Sequence, residues 1–395
     1  MWIIIPERST GGHKGMLLTK ASPTKTTTSD PPIAPVEEVS SQKVQPSPHQ
    51  KNTAKPAEVN DDTTAAAAVG TTAAPLPDNS TCPPWNRQSE AIPKDFSPEA
   101  FCAQFGERPR RVVPTLWYGI MFSFEFDMLE VLFHELAGVV DKYVIVESAM
   151  SHSKKPKVTV LNQLYEQERF REFTPIVYNG TFVVRRLMRS GWDYEKRQRK
   201  RVLQVVQESG IRDGDVFVAN LDLDEVFSRT TVMRYKYCQS PQMYFHSFGY
   251  RYYLDCLMDE SVPQFQRGVI VWANRDYGYY DLYKARNALV QTPLNISDFR
   301  AEMLKRRSQL VWHMSTFGTF DEIRYKLSHS PHRFVDIEDD SVLRSEIETC
   351  KYNNRTRHIV PLYDDLLPRF IQRNQCRFRE RGWIRGVVHP APSNP

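Results

Sequence analysis

The run Val216-Phe217-Val218-Ala219-Asn220-Leu221-Asp222-Leu223-Asp224-Glu225 constrains this chain more than any other stretch. It is an apolar, β-prone segment that finishes in a cluster of carboxylates. In open α/β sheets, ligands bind beyond the carboxyl ends of the strands. Acidic groups placed there are well sited to hold a divalent cation and, through it, a phosphate. Hard cations such as Mg²⁺ and Mn²⁺ take oxygen ligands, usually one or two carboxylates plus substrate phosphates. Short acidic pairs also occur in solvated loops, so the strand in front of this one is what gives it meaning.

The chain has 395 residues, but composition divides it unevenly. From about Ala21 to Pro77 it is Thr, Ser, Pro, Ala and Lys, with almost no aromatic residues. Such a stretch cannot bury enough apolar surface to offset chain entropy, which predicts disorder. Ser/Thr-rich sequence with Pro suits either an O-glycosylated stalk or an unmodified linker. The expected organisation is a disordered N-terminal stem over 1–110, a folded domain over 111–380 and a tail over 381–395. The net charge of +5 carries no signature of a nucleic-acid binder.

Asn79, Asn179, Asn295 and Asn354 each stand in an Asn-x-Ser/Thr acceptor, and the six cysteines allow three disulfides without forming a zinc or redox motif. The acceptors tilt the case toward a secretory compartment. Trp2 to Ile5 is too short an apolar run for a signal peptide or a spanning helix. A membrane anchor is therefore expected to lie outside this sequence.

Within the folded part, Met128, Leu129, Leu132, Phe133 and Leu136 recur at helical spacing, and Gly138 follows in the manner of a C-terminal cap. Tyr143 to Val146 reads as a buried strand that ends at Glu147. The helix–strand order predicts an alternating α/β sheet. Over Asp193 to Gln207 a second helix places Tyr194, Val202, Val205 and Val206 on one side. Glu195 and Gln198 fall on that same side and Arg199 at its border, where polar groups need partners or line a site. Lys196, Arg197 and Lys200 point away.

Met243 to Phe248, Gly268 to Trp272 and Leu310 to Trp312 are further strands. His313 directly follows the last, and Asp321 to Leu327 forms a helix whose acidic first turn suits the helix dipole. If the Asp224 and His313 strands end on one side, the two residues share one cation.

Read in order, these blocks resemble glycosyltransferase family 17. They are Phe124-Glu125-Phe126-Asp127-Met128-Leu129-Glu130 through His134-Glu135-Leu136, Val139 to Ser148 with Lys155-Pro156-Lys157, Glu195-x-x-Gln198-Arg199, Asp222-Leu223-Asp224-Glu225, Trp312-His313-Met314-Ser315, Lys326-Leu327, His332-Arg333-Phe334 and Pro361-Leu362-Tyr363. The resemblance spans about 250 residues, from near Tyr118 to near Phe370.

It implies a single GT-A-like nucleotide-sugar-binding domain, α/β, with a central mostly parallel sheet flanked by helices. It further implies UDP-GlcNAc as donor, a divalent cation (Mn²⁺ or Mg²⁺), and inverting transfer to a β-linked mannose of an N-glycan in β-1,4 linkage. The setting it implies is the Golgi lumen, with membrane attachment through an anchor.

Carried onto these residues, Asp224 and His313 are expected to hold the cation. Asp222, Glu147 and Arg199 are expected at the donor. Inversion needs a carboxylate base, for which Asp321 and Glu225 are the candidates. Two other readings fit some of the same residues. One is a haloacid dehalogenase-type phosphohydrolase with Asp222 as nucleophile, Asp224 as acid/base and Asp339-Asp340 as a later metal pair. The other is a catalytically inactive homologue that binds sugar nucleotides.

Overall fold

A computed structural model describes residues 82–173, 175–180, 191–240, 246–258, 270–272, 299–305, 310–330, 339–352, 355–356 and 358–390. The expected stem as far as residue 81 lies outside these residues, as do Asn79, Asn295 and Asn354.

The expected alternating sheet is present. Strands β1 (Leu116–Phe122), β2 (Lys142–Ser148), β3 (Ile176–Gly180) and β4 (Val216–Asp222) run parallel in the order β3-β2-β1-β4. The short β8 (Ile270–Trp272) closes the β4 edge in the antiparallel sense. Side chains alternate across a strand, and here each set meets a different helix. Leu116, Tyr118, Ile120, Val216 and Val218 pack with the apolar side of α2 (Phe126–Glu135). Trp117, Met121, Val144, Val146, Phe217 and Ala219 pack with Val202, Val205 and Val206 of α3 (Gly191–Glu208).

Helix α2 ends where the sequence predicts, with Gly138 just beyond it at φ +71°. Glycine is also required inside β1. A Cβ on Gly119 would stand 2.7 Å from Val202 Cγ1 and 3.0 Å from the Phe217 ring, so only a bare backbone lets α3 come this close.

Beyond β4 the chain crosses to a second sheet. It contains β5 (Glu225–Phe227), β6 (His246–Arg251), β7 (Tyr253–Leu257), β9 (Leu310–Ser315) and β12 (His358–Ile359), in the order β12-β7-β6-β9-β5. Strands β6 and β9 are parallel and the other pairs antiparallel. Around the two sheets lie α1 (Pro98–Ala103), α4 (Arg229–Tyr237), α5 (Phe299–Lys305), α6 (Phe320–His329), α7 (Asp340–Glu348), α8 (Arg369–Arg373) and α9 (Gln375–Glu380). A hairpin of β10 (Lys351–Tyr352) with β11 (Arg355–Thr356) and a parallel pair of β13 (Leu362–Tyr363) with β14 (Val388–His389) complete the strands.

Both expected domain limits need correction. Residues 82–110 are not stem. Trp85 stacks on Phe370, Ser97 caps α1, and disulfides join Cys82 to Cys376 and Cys102 to Cys238. Residues 381–390 are not a tail either, because Trp383 and Ile384 are buried and β14 pairs with β13. Aromatic density alone misses such flanks, since cross-links and a few anchoring rings hold them down. The third disulfide joins Cys256 of β7 to Cys350 after α7, so all six cysteines are paired.

In the last turn of α2, His134 is fully buried, stacks on Phe370 at 4.2 Å and lies 3.2 Å from the Ser89 hydroxyl. Burial first, then the charges of Arg373 and Arg87, push its pKa down to about 3.

Two outcomes follow. Gly119→Ala should cost about 1–3 kcal/mol of stability through overpacking, read as a lower urea midpoint with unchanged slope. Below pH 6.5 the unfolded chain protonates His134 while the native state does not. Its contribution to stability is therefore lost as pH falls from about 6.5 to about 3, at up to about 1.4 kcal/mol per pH unit. In His134→Phe that part of the acid limb should flatten.

Candidate active site

In a doubly wound sheet, the crevice for a ligand opens where successive connections leave a strand in opposite directions. Here that place is the carboxyl end of β1, which has β2 on one side and β4 on the other. Two carboxylates stand over it. Glu125 follows β1, and Asp224 follows β4 at the crossing into the second sheet. The crossing is pinned by its backbone, since Met314 N–H donates to the Asp224 carbonyl at 2.7 Å. That bond sets β9 beside the end of β4 and carries His313 with it. His313 Nε2 lies 3.8 Å from Asp224 Oδ1.

A third element closes the group. After β9 the chain turns through Thr316 at φ +62° and Gly318 at φ +138°. A Cβ on Gly318 would come within 2.8 Å of the Glu322 carboxylate. Thr319 and Glu322 then cap α6 reciprocally, which fixes its first turn. Two turns further on, Lys326 Nζ reaches Glu125 Oε1 at 2.7 Å and Asp224 Oδ2 at 2.8 Å. Asp222 is held separately, both of its oxygens accepting from Arg199 Nη2 at 2.6 and 2.7 Å. Arg199 also pairs with Glu195 one turn earlier on α3.

Protonation states follow from these partners. Burial raises the Asp224 carboxyl, but the Lys326 ammonium beside it outweighs that and holds the group ionised below its ordinary value. Burial lowers His313, with Lys326 and Arg251 adding to the effect against Asp224 and Asp222, so the imidazole is favoured neutral. Lys326 and Arg199 are desolvated as well. Their carboxylate partners prevail and keep both charged.

Matched against known families, residues 60–339 fit the model for glycosyltransferase family 17. The chain belongs to glycosyltransferase family 17. No curated protein and no solved structure matches it. Membership in family 17 makes glycosyl transfer the reaction class, with a nucleotide-sugar donor and a glycan acceptor in general.

The structure brings four of the expected site residues to the crevice of this family 17 domain: Asp224, His313, Asp222 and Arg199. Two others are placed elsewhere, and Glu225 is buried beside the group. Glu147 is buried and closed into a structural knot, pairing with Lys157 Nζ at 2.6 Å and accepting from the amides of Val160 and Leu161. It folds the loop after β2, and no part of it is left to meet a nucleotide. Glu225 is 2 % exposed and stands directly opposite His313 in the β5–β9 pair, on the same side of that sheet.

Asp321 is exposed in the first turn of α6. Five residues from Lys326, it is rotated about 140° around the helix from the side that reaches Asp224. The phosphohydrolase reading loses its second metal pair, because Asp339 caps α7 and Asp340 pairs with Arg324.

Two members of the cluster had no role assigned from sequence, Glu125 and Lys326. A signal for the first was present: like Asp224, it lies just past the carboxyl end of a strand. Lys326 has no such mark, because only the turn at Gly318 aims it.

Arg199→Met should cost about 3 kcal/mol, since Asp222 and Glu195 would be left partly buried without their shared cation. The double change with Asp222→Asn should restore much of that loss. Chemical denaturation of both variants reads the difference.

Proposed function

We propose that this protein is an inverting β-1,4-N-acetylglucosaminyltransferase that moves the sugar from UDP-GlcNAc to a β-linked mannose of an N-glycan. The observation that carries the donor half is the meeting of Asp224 and His313, from different sheets, at the crevice beyond β1 and β4. The donor identity, the acceptor and the linkage come from the family resemblance in the sequence blocks.

A divalent cation fits this pair. Among the described residues no three His, Cys, Asp or Glu side chains gather into a cage, so the protein would supply two donors and the diphosphate the rest. That is the habit of Mg²⁺ and Mn²⁺ at nucleotide sites. Charge argues the same way. Glu125, Glu195, Asp222 and Asp224 bring four carboxylates together around Arg199 and Lys326, a setting that suits a cation beneath an incoming diphosphate. A bound cation would supply Lewis-acid stabilisation of the departing UDP.

The chain's own residues do the rest. Neutral His313 keeps a nitrogen lone pair for ligation. Arg199 on α3 fixes Asp222 at the end of β4, setting a polar edge for the donor, and Lys326 holds Asp224 in place.

Three disulfides match an oxidising compartment, and with the Ser/Thr/Pro-rich N-terminal sequence and the four sequons they support a lumenal, Golgi location. No helix among the described residues is long and apolar enough to cross a membrane. Attachment would come through an anchor outside them.

Incubation with UDP-GlcNAc, an N-glycan core oligosaccharide and Mn²⁺ should release UDP and extend the glycan, and a chelator should stop it. Asp224→Asn should lower turnover about 100-fold or more. Full activity in chelator, or in that variant, would remove the cation site. Hydrolysis of a simple phosphate ester without transfer would instead favour the phosphohydrolase.

A further inference from the structure

Between α1 and β1 the chain reads Glu107-Arg108-Pro109-Arg110-Arg111-Val112-Val113-Pro114-Thr115. Arginine stands at the fourth, second and first positions before the Arg111–Val112 bond. The sequence holds Arg-x-Lys/Arg-Arg in no other place. Guanidiniums at that spacing along an extended backbone suit a cleft lined by carboxylates, because each planar fork matches a carboxylate and none loses its charge. The run precedes β1, at the end of that strand away from the donor crevice.

The structure presents the bond to solvent. From Ala103 to Thr115 no residue is buried, and Arg108, Arg111, Val112 and Val113 are exposed, Val112 to 80 %. Among the described residues none hydrogen-bonds to the backbone of Arg111, Val112 or Val113. Upstream, the strap lies along the end of α4. The Arg108 carbonyl accepts from Gln239 N–H at 2.8 Å, and Arg110 donates from its backbone to the Tyr237 carbonyl at 2.7 Å and from Nε to the Tyr235 carbonyl at 3.2 Å. Surface bonds of this kind, with no buried side chain of the strap behind them, open locally while the core stays folded. Exposed irregular segments are where endoproteases nick folded proteins.

A second basic run, Arg199-Lys200-Arg201, is the opposite case. It lies inside α3, with Arg199 tied to Asp222 and Glu195 and Arg201 paired with Glu208. A helix so held does not enter a protease cleft unless it first unwinds.

We propose that the Arg111–Val112 bond is a processing site for an endoprotease whose acidic cleft reads paired arginines, and that the product is a two-chain protein. Water adds across the amide. The carbonyl carbon gains the hydroxyl and becomes the Arg111 carboxylate, and the nitrogen gains the proton and becomes the Val112 amine. The pieces stay joined, because the segment before the cut carries Cys82 and Cys102, bonded to Cys376 and Cys238 beyond it. Cleavage therefore opens the strap without releasing the catalytic domain from the segment in front of it. The encounter with such a protease rests on the lumenal setting proposed above; recognition of the bond does not.

The test uses the whole chain and a purified dibasic-cleaving proprotein convertase, beside a peptide of residues 106–115. Reduced gels should show fragments 1–111 and 112–395, with Val112 as the new amino terminus, and unreduced gels a single band. Arg108→Ala and Arg111→Ala, both at exposed positions, should each slow the cut about 30-fold or more.

An intact chain under conditions that consume the peptide would overturn the site, as would a peptide left whole or a cut that persists in Arg111→Ala. Fragments that part without reductant would refute the two-chain product. A chain cut in the tube but recovered whole from cells with the convertase co-expressed in the Golgi would uphold the site and remove the lumenal setting.

Discussion

One ammonium group holds the site together. Lys326 is carried on a helix that follows the second sheet, and it ties the loop after β1 to the loop after β4. Without it, Glu125 and Asp224 would be two like charges facing each other at the head of the sheet. The Lys326 ammonium is desolvated where it sits, and the two carboxylates outweigh that and favour its charged form. The three groups are therefore mutually dependent, and removal of any one leaves the others uncompensated in a poorly solvated place. Such an arrangement holds its geometry before any substrate arrives, which is what electrostatic catalysis needs from a protein.

Much of the scaffold is legible in the sequence because local pattern and long-range packing agree. The apolar spacing of α2, the strand ending at Glu147 and the acidic strand β4 all form where periodicity puts them. On α3 the sequence also separates the sides correctly. Lys196, Arg197 and Lys200 are exposed, while Gln198 is buried and donates to the carbonyls of Phe122 and Val146. Arg199, at the border, turns inward to Asp222. An amphipathic helix with polar groups on its packed side is thus read correctly, because burial of such groups demands partners.

What sequence does not carry is the aim of a side chain after a turn. Asp321 and Lys326 lie on one short helix, and nothing local says which of them faces Asp224. That choice is made by Thr316 and Gly318 in backbone conformations with positive φ, together with the cap formed by Thr319 and Glu322. Glu147 fails for a different reason. A carboxylate at a strand end suits a ligand, but it suits the amides of the next loop equally well, and here Val160 and Leu161 take it. The domain limits fail because cysteine pairing cannot be read from spacing, and the flanks owe their order to it.

The bond between Cys82 and Cys376 joins residues 294 positions apart, and it fastens the segment leading into the domain to one of its last helices. During synthesis the first sulfur emerges long before its mate exists. It must wait as a free thiol while Cys102, Cys238, Cys256 and Cys350 pass by, each a possible wrong partner. Correct closure therefore comes last and depends on oxidising surroundings in which mispaired cysteines can be reshuffled. A chain arrested short of its final helices would keep one unpaired thiol, a chemical mark by which a cell can tell an unfinished molecule from a finished one.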